Sequence, residues 1–214
     1  ESGSGKRVTA LSVMGLLMGT TGKVAEGEIL FEGRDLRKLD DEERRKMRGE
    51  KISMIFQEPM TSLNPVMKIG DQITECILMH NNISKQEAWD KAVEMLKLTG
   101  VPRVERMMKE YPFQLSGGQR QAMALLMSTM TPIEFLILDE HTAALDPKTA
   151  ETIMELTHKI VKEKELTTIM VTHNLRYAVE YGDRLLMMHQ GRAIIDKEGR
   201  KKQEMQIEDI LERF

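Results

Sequence analysis

The sequence predicts an α/β fold in which helices cover a mostly parallel sheet and an all-helical stretch is inserted in the middle. Short apolar runs with polar ends, such as "FLILDE" and "TTIMVTHN", are typical of buried parallel strands. Amphipathic stretches such as "DPKTAETIMELTHKIVKEKE" alternate with these runs. From Met60 to Pro112 the pattern is helical, which indicates the insert.

The first part of the chain predicts a loop, a helix and two strand regions. A glycine-rich start leads into "VTALSVMGLLMG", whose apolar residues recur at helical spacing. "GEILFEGRDL" alternates as a strand does and predicts a turn at Gly33 and Arg34. The charged stretch "DDEERRKMRG" predicts a solvated helix, and "KISMIFQEP" a short strand that Pro59 stops.

The remaining elements follow in the same alternation. Within the insert, Ser84 followed by Glu87 predicts a capping box at the start of a helix. "LSGGQRQAMALLMSTM" predicts the helix that follows the insert. "DRLLMMHQGRAIID" predicts a hairpin that turns at Gln190 and Gly191, ahead of a charged helical tail.

The composition of the 214 residues is that of an ordinary globular protein and excludes several classes. A net charge of −3 gives no basic excess for nucleic acid, and no apolar run is long enough to span a bilayer. Cys76 is the only cysteine, which excludes an internal disulfide framework and fits a reducing compartment. A chain that begins at Glu1 is expected to be a fragment, so a missing signal peptide is uninformative.

The opening "ESGSGKRV" contains most of a phosphate-binding loop, G-x-x-x-x-G-K-[ST]. Successive backbone N–H groups at a helix start bind phosphate, and Lys6 would add a point charge on the outer phosphates. Arg7 stands where that pattern has a hydroxyl. A flexible turn is the alternative interpretation of the stretch.

Two strand ends carry further candidate groups. Asp139 can hold Mg²⁺, directly or through water, and Glu140 can orient or deprotonate a water that attacks a γ-phosphate. His173, at the end of "VTHN", could contact that phosphate. Adjacent acids also occur in plain loops, and a lone histidine at a strand end is often structural.

The stretch "LSGGQRQ" is the most specific of these signals. Ser116 can cap the helix, and Gly117 and Gly118 expose N–H groups at its positive end. This is a second anion-binding helix start in one chain. It favours a head-to-tail dimer with ATP between the partners.

The order "SGSGK", "FQEP", "LSGGQ", "LILDE", "AALDP", "VTHN" resembles the ATP-binding subunit of ABC transporters over essentially the whole chain. The resemblance implies a P-loop NTPase (RecA-like) core with an α-helical subdomain, and ATP and Mg²⁺ as ligands. The implied division is 1–59 as the first part of the core, 60–114 as the helical subdomain and 115–214 as the signature helix and second part of the core. Strands that the family places before the phosphate loop, with an aromatic residue that stacks on adenine, are not in the sequence.

The resemblance also implies roles for individual residues. It assigns phosphate binding to Gly3, Ser4, Gly5 and Lys6. It assigns contact with the γ-phosphate held by the opposite protomer to Ser116, Gly117, Gly118 and Gln119. Gln57 would sense Mg²⁺ and the attacking water, Asp139 would serve the metal, and Glu140 would be the catalytic base. Asp146 would communicate across the dimer, and His173 would act as the switch.

The implied function is an ATP-hydrolysing subunit that powers an importer for peptides or similar small solutes. Its partners would be transmembrane permease subunits, a second ATP-binding subunit (identical or not) and, indirectly, an extracytoplasmic solute-binding protein, with no nucleic acid. It would lie on the cytoplasmic face of the cell membrane as a peripheral protein.

Within the family, "FQEPMTSLNPVMKIGDQI" and "YPFQLSGGQRQ" resemble dipeptide, oligopeptide and nickel importer ATPases. Beyond the signature, "DEHTAALDP" has His141 where those ATPases usually have proline, and the sequence is more similar to ATPases of other substrate-binding-protein importers. A mosaic of two branches is one hypothesis, and an intermediate lineage is the other.

Two departures from the family pattern bear on activity. The strands before the phosphate loop are absent from the sequence, which would leave the sheet with an exposed pairing edge. The guanidinium of Arg7 cannot ligate a cation, and Thr9 lies on another side of the helix. The alternative function is therefore a degenerate subunit or fragment that binds ATP weakly without hydrolysing it. A soluble ABC protein of translation or DNA repair is a third interpretation, but such proteins usually carry tandem cassettes or coiled-coil insertions.

Overall fold

The computed structural model describes residues 5–17, 22, 24–57, 63–98 and 103–211. It divides the chain into two compact units. The terminal unit comprises Glu1–Arg45 and Met170–Phe214, and the central unit comprises Lys46–Ile169. The sequence predicts three segments from its motifs, whereas these two units are defined by their compactness. The three-part division therefore stays a prediction.

The described residues form seven strands and ten α-helices in the alternation that the sequence predicts. The strands are β1 (Leu30–Phe31), β2 (Arg34–Asp35), β3 (Ile52–Ile55), β4 (Phe135–Asp139), β5 (Thr167–Val171), β6 (Arg184–His189) and β7 (Arg192–Glu198). The helices are α1 (Lys6–Val13), α2 (Asp41–Glu50), α3 (Ile69–His80), α4 (Lys85–Leu98), α5 (Val104–Met107), α6 (Gly117–Thr129), α7 (Pro147–Glu163), α8 (Leu175–Glu180), α9 (Arg200–Gln203) and α10 (Ile207–Leu211). None of these helices is long and apolar enough to cross a membrane.

The main sheet has the strand order β3-β4-β5. β3 and β4 pair in parallel, with Ile52 opposite Phe135 and Ile55 opposite Leu138. The middle of β4 is buried, as the continuous apolar run "FLIL" predicts. The predicted parallel sheet is confirmed, and β5 lies at one edge of it with Ile169 exposed.

The inserted helices build a core of their own within the central unit. Its buried members include Ile69, Ile73, Leu96, Met107, Met108 and Met123. Gly70 lets α3 and α4 approach closely, because a Cβ there would lie 2.6 Å from the Trp89 ring. The predicted capping box starts α4: Glu87 donates its backbone N–H to the Ser84 hydroxyl, and the Ser84 N–H is bound by the Glu87 carboxylate.

The terminal unit contains two hairpins. In the first, Arg34 pairs with Phe31, so the turn lies at Glu32 and Gly33 and not at Gly33 and Arg34. The predicted position was one residue late because Arg34 is already part of the returning strand. In the second, Gln190 and Gly191 both have positive φ, of 46° and 76°, which confirms the predicted turn and is typical of type I′.

A buried lysine fixes the tail of the chain to α8. The Lys202 ammonium donates to the carbonyls of Val179 and Tyr181 at 2.7 and 2.9 Å, at the end of that helix. Burial lowers the pKa of Lys202. These bonds satisfy carbonyls that a helix end leaves without partners.

Candidate functional site

The predicted site residues are divided between the two units. Gly5, Lys6 and His173 belong to the terminal unit, whereas Gly3 and Ser4 lie outside the described residues. The central unit holds the others, namely Gln57, Ser116, Gly117, Gly118, Gln119, Asp139, Glu140 and Asp146.

The start of α1 is formed by Gly5 and Lys6. Gly5 is the N-cap residue, with a left-handed backbone (φ 90°), and no side chain of the described residues caps the helix there. Lys6 is the first helical residue and is half-buried. The Thr9 hydroxyl donates to the Gly5 carbonyl at 2.9 Å, so this hydroxyl is already engaged within the helix and does not replace the one missing at Arg7.

The carboxyl ends of β3 and β4 bring Gln57 and the two acids to one edge of the sheet. Ile55 pairs with Leu138 in parallel register. Gln57 lies two residues beyond the first, and Glu140 two residues beyond the second. The polar residues predicted on separate motifs therefore follow the same end of two adjacent strands.

Asp139 and Glu140 differ in environment and backbone. Asp139 ends β4 and is 2% exposed, whereas Glu140 is half-buried. Glu140 has a positive φ of 49°, which is uncommon for a residue with a side chain and is found most often at functional sites and turns. Its carbonyl accepts from Ala143, so the chain turns directly after the strand.

His141, which stands in the place of the usual proline, is buried against α7. Its Nε2 lies 3.2 Å from the Thr157 hydroxyl oxygen. Burial lowers the pKa of His141 to about 4, so the imidazole is neutral at pH 7. This contact ties the turn after β4 to the middle of α7.

The start of α6 is held by a reciprocal pair of side chains. Ser116 accepts from the Gln119 backbone N–H at 3.3 Å, as predicted, and the Gln119 amide oxygen accepts from the Ser116 N–H at 2.8 Å. Gln119 therefore holds the helix start in this structure. The S-x-x-Q spacing was the signal for that second bond.

The two signature glycines pack against the segment that begins α7. A Cβ at Gly117 would lie 3.3 Å from Leu145 Cδ2. A Cβ at Gly118 would lie 2.3 Å from Thr149 Cγ2, far inside van der Waals contact. At Gly118, only glycine fits without movement of a neighbour.

Asp146 caps α7 and is bound by Thr149. The Thr149 N–H donates to Asp146 Oδ1 at 3.1 Å. Hydrogen bonds from the Thr149 side chain and backbone hold the pKa of Asp146 below its ordinary value. Sequence reasoning did not single out Thr149, because an N-cap aspartate accepts from the backbone N–H three residues on, whatever the residue type.

His173 lies in a short turn between β5 and α8 and is exposed. The residues on either side of it hold this turn. Thr172 accepts from the Asn174 N–H at 3.0 Å, and Asn174 caps α8 by accepting from Tyr177. The turn presents His173 at the end of β5, as the sequence predicts.

The side chains at the ends of β3 and β4 supply some, but not all, of the ligands that a divalent cation needs. The described residues contain no cluster of three or more His, Cys, Asp or Glu that could hold a metal ion. Asp139 and Gln57 supply oxygens, the ligands that Mg²⁺ prefers. The residues present therefore fit a magnesium ion that takes its other ligands from phosphates and water.

Comparison with known sequences identifies the relatives of this chain. Residues 1–143 match the family described as ABC transporter. The chain is 43% identical over 194 residues to the oligopeptide transport ATP-binding protein AppD of Bacillus subtilis, a match that covers 91% of this chain and 59% of AppD. It is 42% identical over 194 residues to OppD of Escherichia coli, covering 91% of this chain and 57% of OppD. The chain thus spans less than two thirds of the length of these relatives. The mosaic of two branches and the intermediate lineage both stay hypotheses.

Solved structures share the fold. The ATP-binding cassette MJ0796, in a dimeric post-hydrolysis state with ADP and Pi, superposes with a TM-score of 0.76 at 30% identity, covering 94% of this chain and 83% of that one. CbiO1 of Clostridium perfringens gives a TM-score of 0.77 at 24% identity, covering 99% and 76%. The α/β fold predicted from the sequence is confirmed as that of an ABC ATPase cassette, a P-loop NTPase.

Proposed function

Because this chain belongs to the ABC transporter family of ATP-binding proteins, we propose that it binds and hydrolyses ATP to power an importer for peptides or similar small solutes. The observation that carries the proposal is the register of β3 and β4. Because Ile55 pairs with Leu138, Gln57 follows the same end of the paired strands as the Asp139–Glu140 pair, in the unit that also contains the signature helix α6. The names of AppD and OppD support the transport of peptides.

In the proposed reaction, each group acts on ATP by its own chemistry. Phosphate binding is assigned to Gly3, Ser4, Gly5 and Lys6. The Lys6 ammonium attracts the outer phosphates, and His173 contacts the γ-phosphate. Glu140 accepts a proton from the attacking water, which Gln57 orients.

Magnesium completes the proposed site. When bound, Mg²⁺ offsets the negative charge on the transferring phosphoryl group. Asp139 and Gln57 would hold it through side-chain oxygens. Arg7 offers no ligand, since a guanidinium only donates.

The proposed assembly is a head-to-tail pair of ATP-binding subunits on permease subunits, at the cytoplasmic face of the cell membrane. Ser116, Gly117, Gly118 and Gln119 would contact the nucleotide of the partner. The dimeric structure of MJ0796 supports the pairing. The solute-binding protein would act only indirectly, through the permease. Co-purification with a polytopic membrane protein tests the permease assignment, and recovery of the chain without one contradicts it.

The test of hydrolysis is a comparison of wild type with Glu140→Gln. We expect hydrolysis by the wild type and a loss of about 10²-fold or more in the variant, with ATP affinity retained, because the amide cannot accept the proton. Glu155→Gln, an exposed change on α7, is the control and keeps the wild-type rate. A wild type that binds ATP without hydrolysing it would favour the degenerate subunit instead.

The variant Arg7→Ser distinguishes a chain in which only the metal site is damaged from a chain that has lost its ATP-binding pocket. With the hydroxyl restored, we expect ATP affinity to gain from Mg²⁺, whereas in the wild type it depends less on the metal. An electrostatic contact of this kind is typically worth on the order of 10²–10³ in rate. Equal Mg²⁺ dependence in both proteins would contradict a metal-ligand role for this position.

A further inference from the structure

The signature motif and Asp146, which the family resemblance treats as separate elements, are linked within one chain through Thr149. The start of α6 lies against the first turn of α7. The closest approach is at Gly118, where a Cβ would meet Thr149 Cγ2 at 2.3 Å. The backbone of the signature motif therefore rests directly on the Thr149 side chain.

Thr149 also holds Asp146. Its N–H donates to Asp146 Oδ1 at 3.1 Å. The methyl and the backbone N–H of Thr149 thus contact two different predicted site elements. Because both groups belong to one residue in the first turn of α7, a displacement of that residue shifts its contacts with both elements.

The packing is asymmetric between the two glycines. A Cβ at Gly117 would be only slightly too close to Leu145, at 3.3 Å, and a small shift of that leucine would accommodate it. At Gly118, the Thr149 methyl would have to move away, either by rotation of that side chain or by a shift of the helix start that carries it. The need for glycine at position 118 therefore arises from Thr149, independently of any ligand.

We infer that Thr149 is a positioning residue that fixes the signature motif relative to Asp146, and that Gly118 is a glycine because of this contact. The kinetic part of the inference rests on the proposed function. The packing part does not, since it concerns the folded chain alone.

The packing part is tested by thermal unfolding of the full chain carrying Gly118→Ala, Thr149→Ser or both. Gly118→Ala is expected to lower Tm by several degrees, because overpacking destabilises. Thr149→Ser removes the methyl and keeps the hydroxyl, so it changes Tm little. The double variant is expected to recover at least half of the loss. If Gly118→Ala does not fold, a folded double variant is the same result.

A double variant no more stable than Gly118→Ala alone would overturn the packing inference. In that case glycine would be required for another reason, such as access of a ligand to the backbone.

The positioning part is tested by Thr149→Ala, which removes the side-chain contact with Gly118 and keeps the backbone N–H that binds Asp146. We expect kcat for ATP to fall by about tenfold with KM within twofold, because small displacements of a site element reduce the rate more than substrate binding. Thr149→Val, which keeps a methyl group against Gly118, should retain the wild-type kcat. The matched control is Thr152→Ala, the same change at an exposed position of α7.

Wild-type kcat in Thr149→Ala would overturn the positioning role. A wild type that does not hydrolyse ATP would refute the proposed function instead. The thermal unfolding of the Gly118 and Thr149 variants would then decide by itself whether Thr149 holds the signature motif.

Discussion

The two glycine-containing helix starts, at Gly5 in the terminal unit and at Ser116 in the central unit, have the same predicted role but are built differently. At α6, the Ser116–Gln119 capping box satisfies two N–H groups, and seven residues of the helix are buried. At α1, no side chain among the described residues caps the helix, and only Ala10 is buried. One start is held by its own side chains, whereas the other has a left-handed glycine and no such cap among the described residues. Similar glycine patterns can therefore begin a helix with or without a side-chain cap.

Among the changes that test this difference between the two helix starts, Lys6→Ala is expected to have the largest effect. If the start of α1 binds phosphate, removing the ammonium should reduce ATP hydrolysis on the order of 10²–10³-fold. Turnover and ATP affinity are the measurements, with the exposed Lys91→Ala as the control. Unchanged affinity would show that α1 is an ordinary helix start.

Met123→Ala should have the next largest effect and tests how firmly α6 is packed. Met123 is fully buried, at 0% exposure. Truncation should cost about 3 kcal/mol of unfolding free energy, since such deletions leave a cavity. Urea denaturation measures it, with Met79→Ala, 76% exposed, expected to change stability by less than about 0.5 kcal/mol. Equal effects would mean that the core around α6 is loose.

Ser116→Ala breaks the capping box itself. We expect a loss of about 1 kcal/mol, because the Gln119 N–H loses its acceptor. The comparison in α1 is Ser12→Ala, where the hydroxyl only bonds back to Val8 and the change should be close to neutral. A neutral Ser116→Ala would remove the distinction between the two helix starts.

The smallest effect concerns pH and extends the comparison to α7, whose cap is charged. The pKa of Asp146 is lowered by the hydrogen bonds from Thr149, so its carboxylate stabilises the fold above the ordinary value of 3.8. This contribution is lost as pH falls through the lowered pKa. The Tm difference between wild type and Asp146→Asn should therefore shrink from pH 7 toward pH 3. A constant difference would show that the charge is immaterial to the cap.

Local patterns predicted most of these elements, and contacts between distant segments accounted for the rest. The parallel strands, both helix caps and the Gln190–Gly191 turn follow from periodicity and from residue types with specific backbone preferences. The first hairpin turn was predicted one residue too late, at Gly33 and Arg34. It lies at Glu32 and Gly33, because Glu32 adopts a positive φ that its residue type does not suggest.

The predicted site was incomplete for a different reason. Thr149 matters through its approach to Gly118, which lies 31 positions earlier in the chain (149 − 118), and no local pattern encodes that distance. The pairing of His141 with Thr157 is of the same kind.

The bond between His141 and Thr157 has a consequence for spectroscopy. The Thr157 hydroxyl donates its hydrogen to the Ile153 carbonyl at 2.7 Å, so its oxygen can only accept from the ring. The neutral imidazole must therefore carry its proton on Nε2, leaving Nδ1 with the lone pair. One histidine with a single tautomer, buried at the end of the strand that carries Asp139, is a natural nitrogen-15 reporter. Its signal would register any rearrangement of that strand end when a nucleotide binds, without an attached label.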